Sequence, residues 1–195
     1  MKPEDKQVLD QFQCDANRLA EELFAQTLSE NDRVRLFFIN ENEAFTDGRN
    51  IITDPARDGL FCDDSALKRT AAFLNWPFSL LWDRWTALQL VTRAQTIHEC
   101  LHLLYSDFPP PASRYLGCDN LTQRTVLGLI ANILEDAYIE AAGCSVFDAM
   151  ELFLRFGRVA RLFASRPSEG TAQRRLSGEH TDRLPRKAAA SWTCC

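Results

Sequence analysis

Thr86 to Tyr105, TALQLVTRAQTIHECLHLLY, constrains the fold more than any other stretch of the chain, because it contains neither Pro nor Gly and is apolar on two sides. Leu90, Ala94, Ile97, Leu101 and Leu104 recur at helical spacing and make one apolar face, while Leu88, Val91, Gln95, His98, His102 and Tyr105 line a second. A helix of this kind has to be enclosed, so the remaining elements must be arranged around it.

Within that helix, His98-Glu99-Cys100-Leu101-His102 is an H-E-x-x-H box. Imidazoles at i and i+4 lie one turn apart on one face, where both can reach a single Zn²⁺ at about 2.0–2.1 Å, and the intervening Glu99 can take a proton from a water that the metal activates. A chance box would leave two surface histidines and a Glu making helix pairs. The two apolar stripes argue against that, since buried histidines need partners and a metal serves two of them at this spacing. His180, the third histidine of the chain, lies in a polar tail. Cys100 falls two residues after His98, points away from the His face and takes a small buried apolar role.

Catalytic zinc sites use three protein ligands and leave a position to water. The strong candidate for the third is a second apolar helix expected from Leu121 to Gly143, with Val126, Leu127, Ile130, Leu134 and Ala137 or Ile133 on its buried side. Glu135 and Asp136 interrupt this otherwise apolar stretch. Buried carboxylates are rare unless paired or metal-bound. The alternatives are that they sit on a solvent edge or pair with Arg124 or Arg93.

The segment Thr96-Ile97-His98-Glu99-Cys100-Leu101-His102-Leu103-Leu104-Tyr105-Ser106-Asp107-Phe108, followed by Asn132-Ile133-Leu134-Glu135-Asp136-Ala137-Tyr138-Ile139-Glu140, resembles the zincin-type metallopeptidase region found ahead of von Willebrand factor A domains in bacterial and phage proteins. Those proteins are related to the cobaltochelatase-associated family. Upstream, Ala44 to Pro55 is similar to that family's T-D-G-x-x-I segment, so the resemblance spans roughly residues 35 to 145. It implies a gluzincin-like arrangement: His98, His102 and Glu135 as zinc ligands and Glu99 as general base. Asp136 or Glu140 would then orient a ligand imidazole, and Tyr105 or Tyr138 would donate to an oxyanion. Tyr138 stands where the family has Arg, and Ser106 where it has Thr. No von Willebrand factor A domain follows in this sequence, so nothing that such a domain coordinates is carried over.

Elsewhere the chain reads as one α+β domain over residues 1–164, mainly helical and zincin-like, with a small β-hairpin or sheet beside the active helix. A helix is expected from Lys6 to Leu28, packed on the sheet through Leu19, Leu23 and Phe24 among others. Val34 to Asn40 reads as a strand, and Glu43–Thr46 with Ile51–Thr53 as a hairpin turning at Gly48-Arg49-Asn50. Such a hairpin either receives an extended peptide as an added strand or simply covers the core. Asp63-Asp64-Ser65 caps a helix that runs to Asn75, and Trp76, Trp82 and Trp85 are packing anchors. Pro109-Pro110-Pro111 ends the active helix and opens a loop through Asn120. A last helix, Val146 to Ala164, closes the core through Phe147, Met150, Leu154, Val159 and Phe163. Residues 165–195 are polar, aperiodic and expected to be disordered.

At net charge −5 and pI near 5.3 the chain as a whole is a poor fit for nucleic acid or a membrane surface. The seven cysteines form no C-x-x-C pair and read as free thiols of a cytoplasmic protein. Two functions follow. One is a zinc metallopeptidase acting on a protein or peptide substrate. The other, which the resemblance implies, is a non-catalytic zinc-binding or zincin-fold interaction module working with an ATPase or a von Willebrand factor A partner.

Overall fold

The computed structural model describes residues 1–108 and 120–164. In chain order the elements are α1 (Pro3–Phe12), α2 (Asp15–Leu28), β1 (Arg35–Phe38), β2 (Phe45–Thr46), β3 (Asn50–Thr53), a 3-10 segment (Arg57–Cys62), α3 (Asp64–Leu74), α4 (Phe78–Trp82), α5 (Arg84–Tyr105), α6 (Leu121–Val146) and α7 (Met150–Ala164). The result is a mainly helical α+β architecture built around α5.

Asp83 starts α5 by accepting hydrogen bonds from the backbone N–H groups of Trp85 and Thr86. The helix is buried on nearly every side, and it feeds three apolar clusters. Leu88 and Val91 pack with Leu9, Phe12, Leu60, Phe61, Leu67 and Phe156. Ile97 and Leu101 join Ile139, Met150 and Leu154 from the last two helices. Cys100, fully buried, meets Ala25, Val34, Leu36 and Ile51 against α2 and the sheet. Two of the tryptophans anchor the first cluster: Trp76 stacks on Phe156 at 6.0 Å between centroids, and Trp85 meets Phe12 edge-on at 5.1 Å. Trp82 is 61% exposed and touches only the edge of Phe78 among ring partners.

The sheet has the order β1-β3-β2, with β1 parallel and β2 antiparallel to β3. Phe45 pairs with Ile52 and Thr46 with Ile51, as the expected hairpin requires. Its turn is closed by Asp47, whose carboxylate accepts from the N–H groups of Arg49 and Asn50. Gly48 holds φ +87° there, and a Cβ at that position would lie 2.8 Å from Phe108, so both conformation and space call for glycine. Gln95 of α5 grips the end of β3 in both directions: the Asp54 N–H donates to its Oε1 at 3.0 Å, and its Nε2 donates to the Asp54 carbonyl at 2.8 Å. The hairpin is thereby fixed beside α5, with β2 on the outer edge.

Three expectations are corrected. The opening helix breaks at Gln13-Cys14, where Cys14 is extended at φ −72°, ψ 159°. Phe12 turns into the core there, and the Asn17 side chain ties back to its carbonyl. On α2 the packed face carries Glu21, Glu22 and Ala25, while Leu19 and Leu23 are 46% and 63% exposed. Ion pairs explain the reversal, because Glu22 takes Arg18, Arg35 and the Leu36 N–H while Glu21 takes Arg93 at 2.7 Å.

The second correction concerns α6. Its buried residues are Asp136, Ile139 and Gly143, not the Val126-Leu127-Ile130-Leu134 stripe. Gly143 lies so close to α5 that a Cβ would come within 2.5 Å of the Leu101 side chain, which sets the rotation of the whole helix. Third, α6 continues to Val146, and α7 begins only at Met150, burying Met150, Leu154, Phe156 and Ala160. The triproline loop and the polar tail lie outside the described residues.

Candidate metal centre

The α5–α6 contact is where the chemistry-bearing residues meet. His98 and His102 sit one turn apart with ring centroids 4.9 Å apart and planes at 88°. From α6, Asp136 enters between them, 2% exposed, with its Oδ1 3.3 Å from His102 Nε2 and 3.7 Å from His98 Nε2. Among the described residues, His98, His102 and Asp136 are the group whose ligand atoms gather within 4.8 Å of one another. Ligands on arms of about 2.0–2.1 Å at tetrahedral corners would stand about 3.3 Å apart, close to the two shorter separations seen here.

Whether these residues fit a metal is tested by what their other atoms do. His98 Nε2 and Asp136 Oδ1 are buried and have no hydrogen-bond partner. Buried polar atoms are mostly satisfied, so two orphans 3.7 Å apart fit a shared ligand such as a metal ion. The far sides of both rings are occupied. Glu140 Oε1 lies 2.9 Å from His98 Nδ1, and a carboxylate only accepts, so Nδ1 carries a proton and Nε2 is the nitrogen left for a metal when the ring is neutral. Ser106 Oγ lies 2.9 Å from His102 Nδ1 and can hold that ring in the same tautomer.

Glu140 is held in turn by Arg158 of α7, through Nε at 3.2 Å and Nη2 at 2.7 Å. Burial opposes charge on Glu140, but the bonds from His98 and Arg158 outweigh it and keep its carboxyl below the usual range. Burial likewise disfavours a charged His98, yet the bond to Glu140 and the nearby carboxylates Glu99, Asp136 and Glu140 hold its pKa above the ordinary value. Glu99 is 4% exposed, and its burial pushes its pKa up against the pull of both imidazoles and Arg57. A cavity of about 50 Å³ reaches His98, Glu99 and Glu140 from the side of Arg57, Gln95 and Arg158.

The other sequence candidates fall outside this group. Glu135 is half-buried, and its neighbour Asp136 provides the atom near the imidazoles, because one residue of helix rotates a side chain by about 100°. Tyr138 follows Asp136 by two residues, is turned to the other side of α6 and is 64% exposed. Tyr105, in the last turn of α5, is 36% exposed. Ser106 and Arg158 were not anticipated. The first had a signal, its i+4 position after His102, while nothing in the sequence linked Arg158 to Glu140.

Among the described residues no helix is long and apolar enough to cross a membrane. No known protein family, curated protein or solved structure matches this chain.

Proposed function

We propose that this chain is a zinc metallopeptidase of zincin type that hydrolyses a protein or peptide substrate. The observation that carries the reading is the convergence of two imidazole Nε2 atoms and the buried Asp136 Oδ1, two of these three atoms without partners, beside the buried Glu99 of an H-E-x-x-H helix. His98 and His102 would hold the ion through Nε2 and Asp136 through Oδ1, so Asp136 replaces Glu135 in the ligand set. Bound zinc would supply a Lewis acid that polarises a carbonyl and brings the pKa of water to about 7.

The protein's own groups do the rest. Glu140 orients the His98 ring with its Nδ1 protonated, and Ser106 holds the His102 ring through a bond compatible with the same tautomer. Glu99 accepts the proton of the attacking water and returns it to the leaving amine, a task for which a carboxyl with a raised pKa is suited near neutrality. The cavity beside it exceeds the roughly 10–15 Å³ that one water needs. An extended peptide can add to the outer edge of β2, whose partner strand β3 is tied to α5 by Gln95 at Asp54. The free thiols Cys14, Cys62, Cys100 and Cys144 suit a reducing, cytoplasmic setting.

A second reading, an interaction module that keeps the metal and the fold but works through an ATPase or a von Willebrand factor A partner, draws on the exposed apolar side of α6. One comparison separates the two. Wild type and Glu99→Gln, both loaded with one zinc per chain, are incubated with a mixed cytosolic protein pool and new termini are mapped. The peptidase reading expects termini from the wild type, reduced by several orders of magnitude in Glu99→Gln; zinc-loaded wild type that makes none leaves the module.

A further inference from the structure

The buried residues of α6 all lie in its C-terminal half, and its first fifteen residues, Leu121 to Glu135, include none. That stretch is about 22 Å of helix. Val126, Leu127, Leu129, Ile130, Ile133 and Leu134 are 37–65% exposed along it, and no charged residue occurs from Thr125 to Leu134. Val126, Ile130, Ile133 and Ala137 follow steps of four, three and four, which aligns them in one seam, with Leu127, Leu134 and Tyr138 along one flank. Exposed area on this face is on the order of 650 Å², within the roughly 600–1,000 Å² that each partner of a standard interface buries and more than most monomers leave open in one patch.

Outside the described residues the sequence offers few large apolar side chains. The large apolar residues of 109–119 are Tyr115 and Leu116, and those of 165–195 are Leu176, Leu184 and Trp192. Charged partners are disfavoured too, since burying a charge against this uncharged seam would leave it unpaired.

We propose that this face pairs with the same face of a second copy, as an antiparallel helix pair about a two-fold axis. In such an isologous contact one stripe serves both partners, so a seam without charge is complementary to itself. Antiparallel pairing sets Ile130 opposite the partner's Ile133 and Val126 opposite the partner's Ala137. It also places the two protein bodies, each attached at the C-terminal half of its own α6, towards opposite ends of the pair. The opposed helix dipoles favour the same orientation.

The test is the mass of the full chain in solution, by sedimentation velocity and light scattering across micromolar concentrations. Wild type is expected to be a dimer, and the Ile130→Glu/Ile133→Glu variant a monomer with unchanged circular dichroism and unchanged zinc content, because both side chains are exposed in the single chain. The Ile130→Lys/Ile133→Lys variant should also be monomeric alone, and mixing it with the Glu variant should restore a dimer. A monomeric wild type, a dimer that survives the Glu substitutions, or a wild type that exchanges its own copy for a different protein on this face would each overturn the proposal.

Discussion

Asp136 and Glu135 are adjacent carboxylates, and the difference between them is a matter of phase more than of chemistry. Asp136 points down the α5–α6 contact, where its Oδ1 is enclosed by His98 and His102; Glu135 is rotated out of that contact and half-buried. Asp136 Oδ1 is buried without a hydrogen-bond partner, so conversion of this carboxyl to an amide should remove most of the site's affinity for a cation. Asp136→Asn is therefore expected to release zinc to a chelator at concentrations that leave Glu135→Gln loaded. Competition titration with a chromogenic chelator checks this. If Glu135→Gln is the weaker binder, the third ligand belongs to Glu135. Behind the candidate ligands, Glu140 stands between His98 and Arg158, so α7 contributes to the orientation of a ring on α5. Outer contacts of this type are worth about 10–100-fold in metal affinity.

At the scale of elements, the packing of α2 onto β1 depends on charge. Glu22 is almost fully buried, accepts from the Leu36 N–H at 3.0 Å and is paired with Arg35 and Arg18. Burial opposes its ionisation, but the backbone bond and the two arginines prevail and hold its pKa below 4.5. The unfolded chain thus binds this proton at higher pH than the folded one. Stability from Glu22 is complete above about pH 4.5 and is lost as the pH falls through the lower folded value. Glu22→Gln should cost roughly 1–3 kcal/mol at pH 7 and flatten the acid limb of stability against pH. Urea unfolding of both proteins from neutral to acid pH would show it, and parallel curves would argue that Glu22 is not ionised in the fold.

The same element shows why some of the structure was legible in the sequence and some was not. Local signals carry α3, α5 and the hairpin: the cap at Asp63, the periodicity of Thr86 to Tyr105 and the turn at Gly48-Arg49-Asn50 are all short-range. Leu19 and Leu23 misled because an apolar stripe does not say whether a neighbouring pair of glutamates has arginines waiting for it across the fold. On α6 the stripe that reads as the core is the exposed one, and the helix is rotated by Gly143 against Leu101, a contact forty-two residues apart in the chain. The paired imidazoles needed only helical spacing. The third group depended on the rotation of a different helix, which a one-residue difference in phase decides.

For the whole molecule, the candidate metal centre is a joint between the enclosed core and a helix that is otherwise poorly held. α6 is buried at Asp136, Ile139 and Gly143, and only Ile139 among these is a large apolar residue. Without an ion, the α5–α6 contact sets a carboxylate with an unpartnered oxygen against imidazoles and the buried Glu99, which favours loosening. With an ion, one charge satisfies atoms from both helices. Zinc should then stabilise the fold by mass action, by about 2.7 kcal/mol at a hundred times its Kd. For a domain of this size that corresponds to a rise in Tm of roughly 5–10 °C. Chelation should lower the Tm of wild type by that amount and leave His98→Ala unmoved. Hydrogen exchange should locate the change: amides of α6 from Asn132 to Gly143 lose protection on chelation, while the middle of α5, wrapped by three apolar clusters, keeps it. Equal loss across both helices would mean that the ion supports the core as a whole, and no change in either would remove the metal from this site.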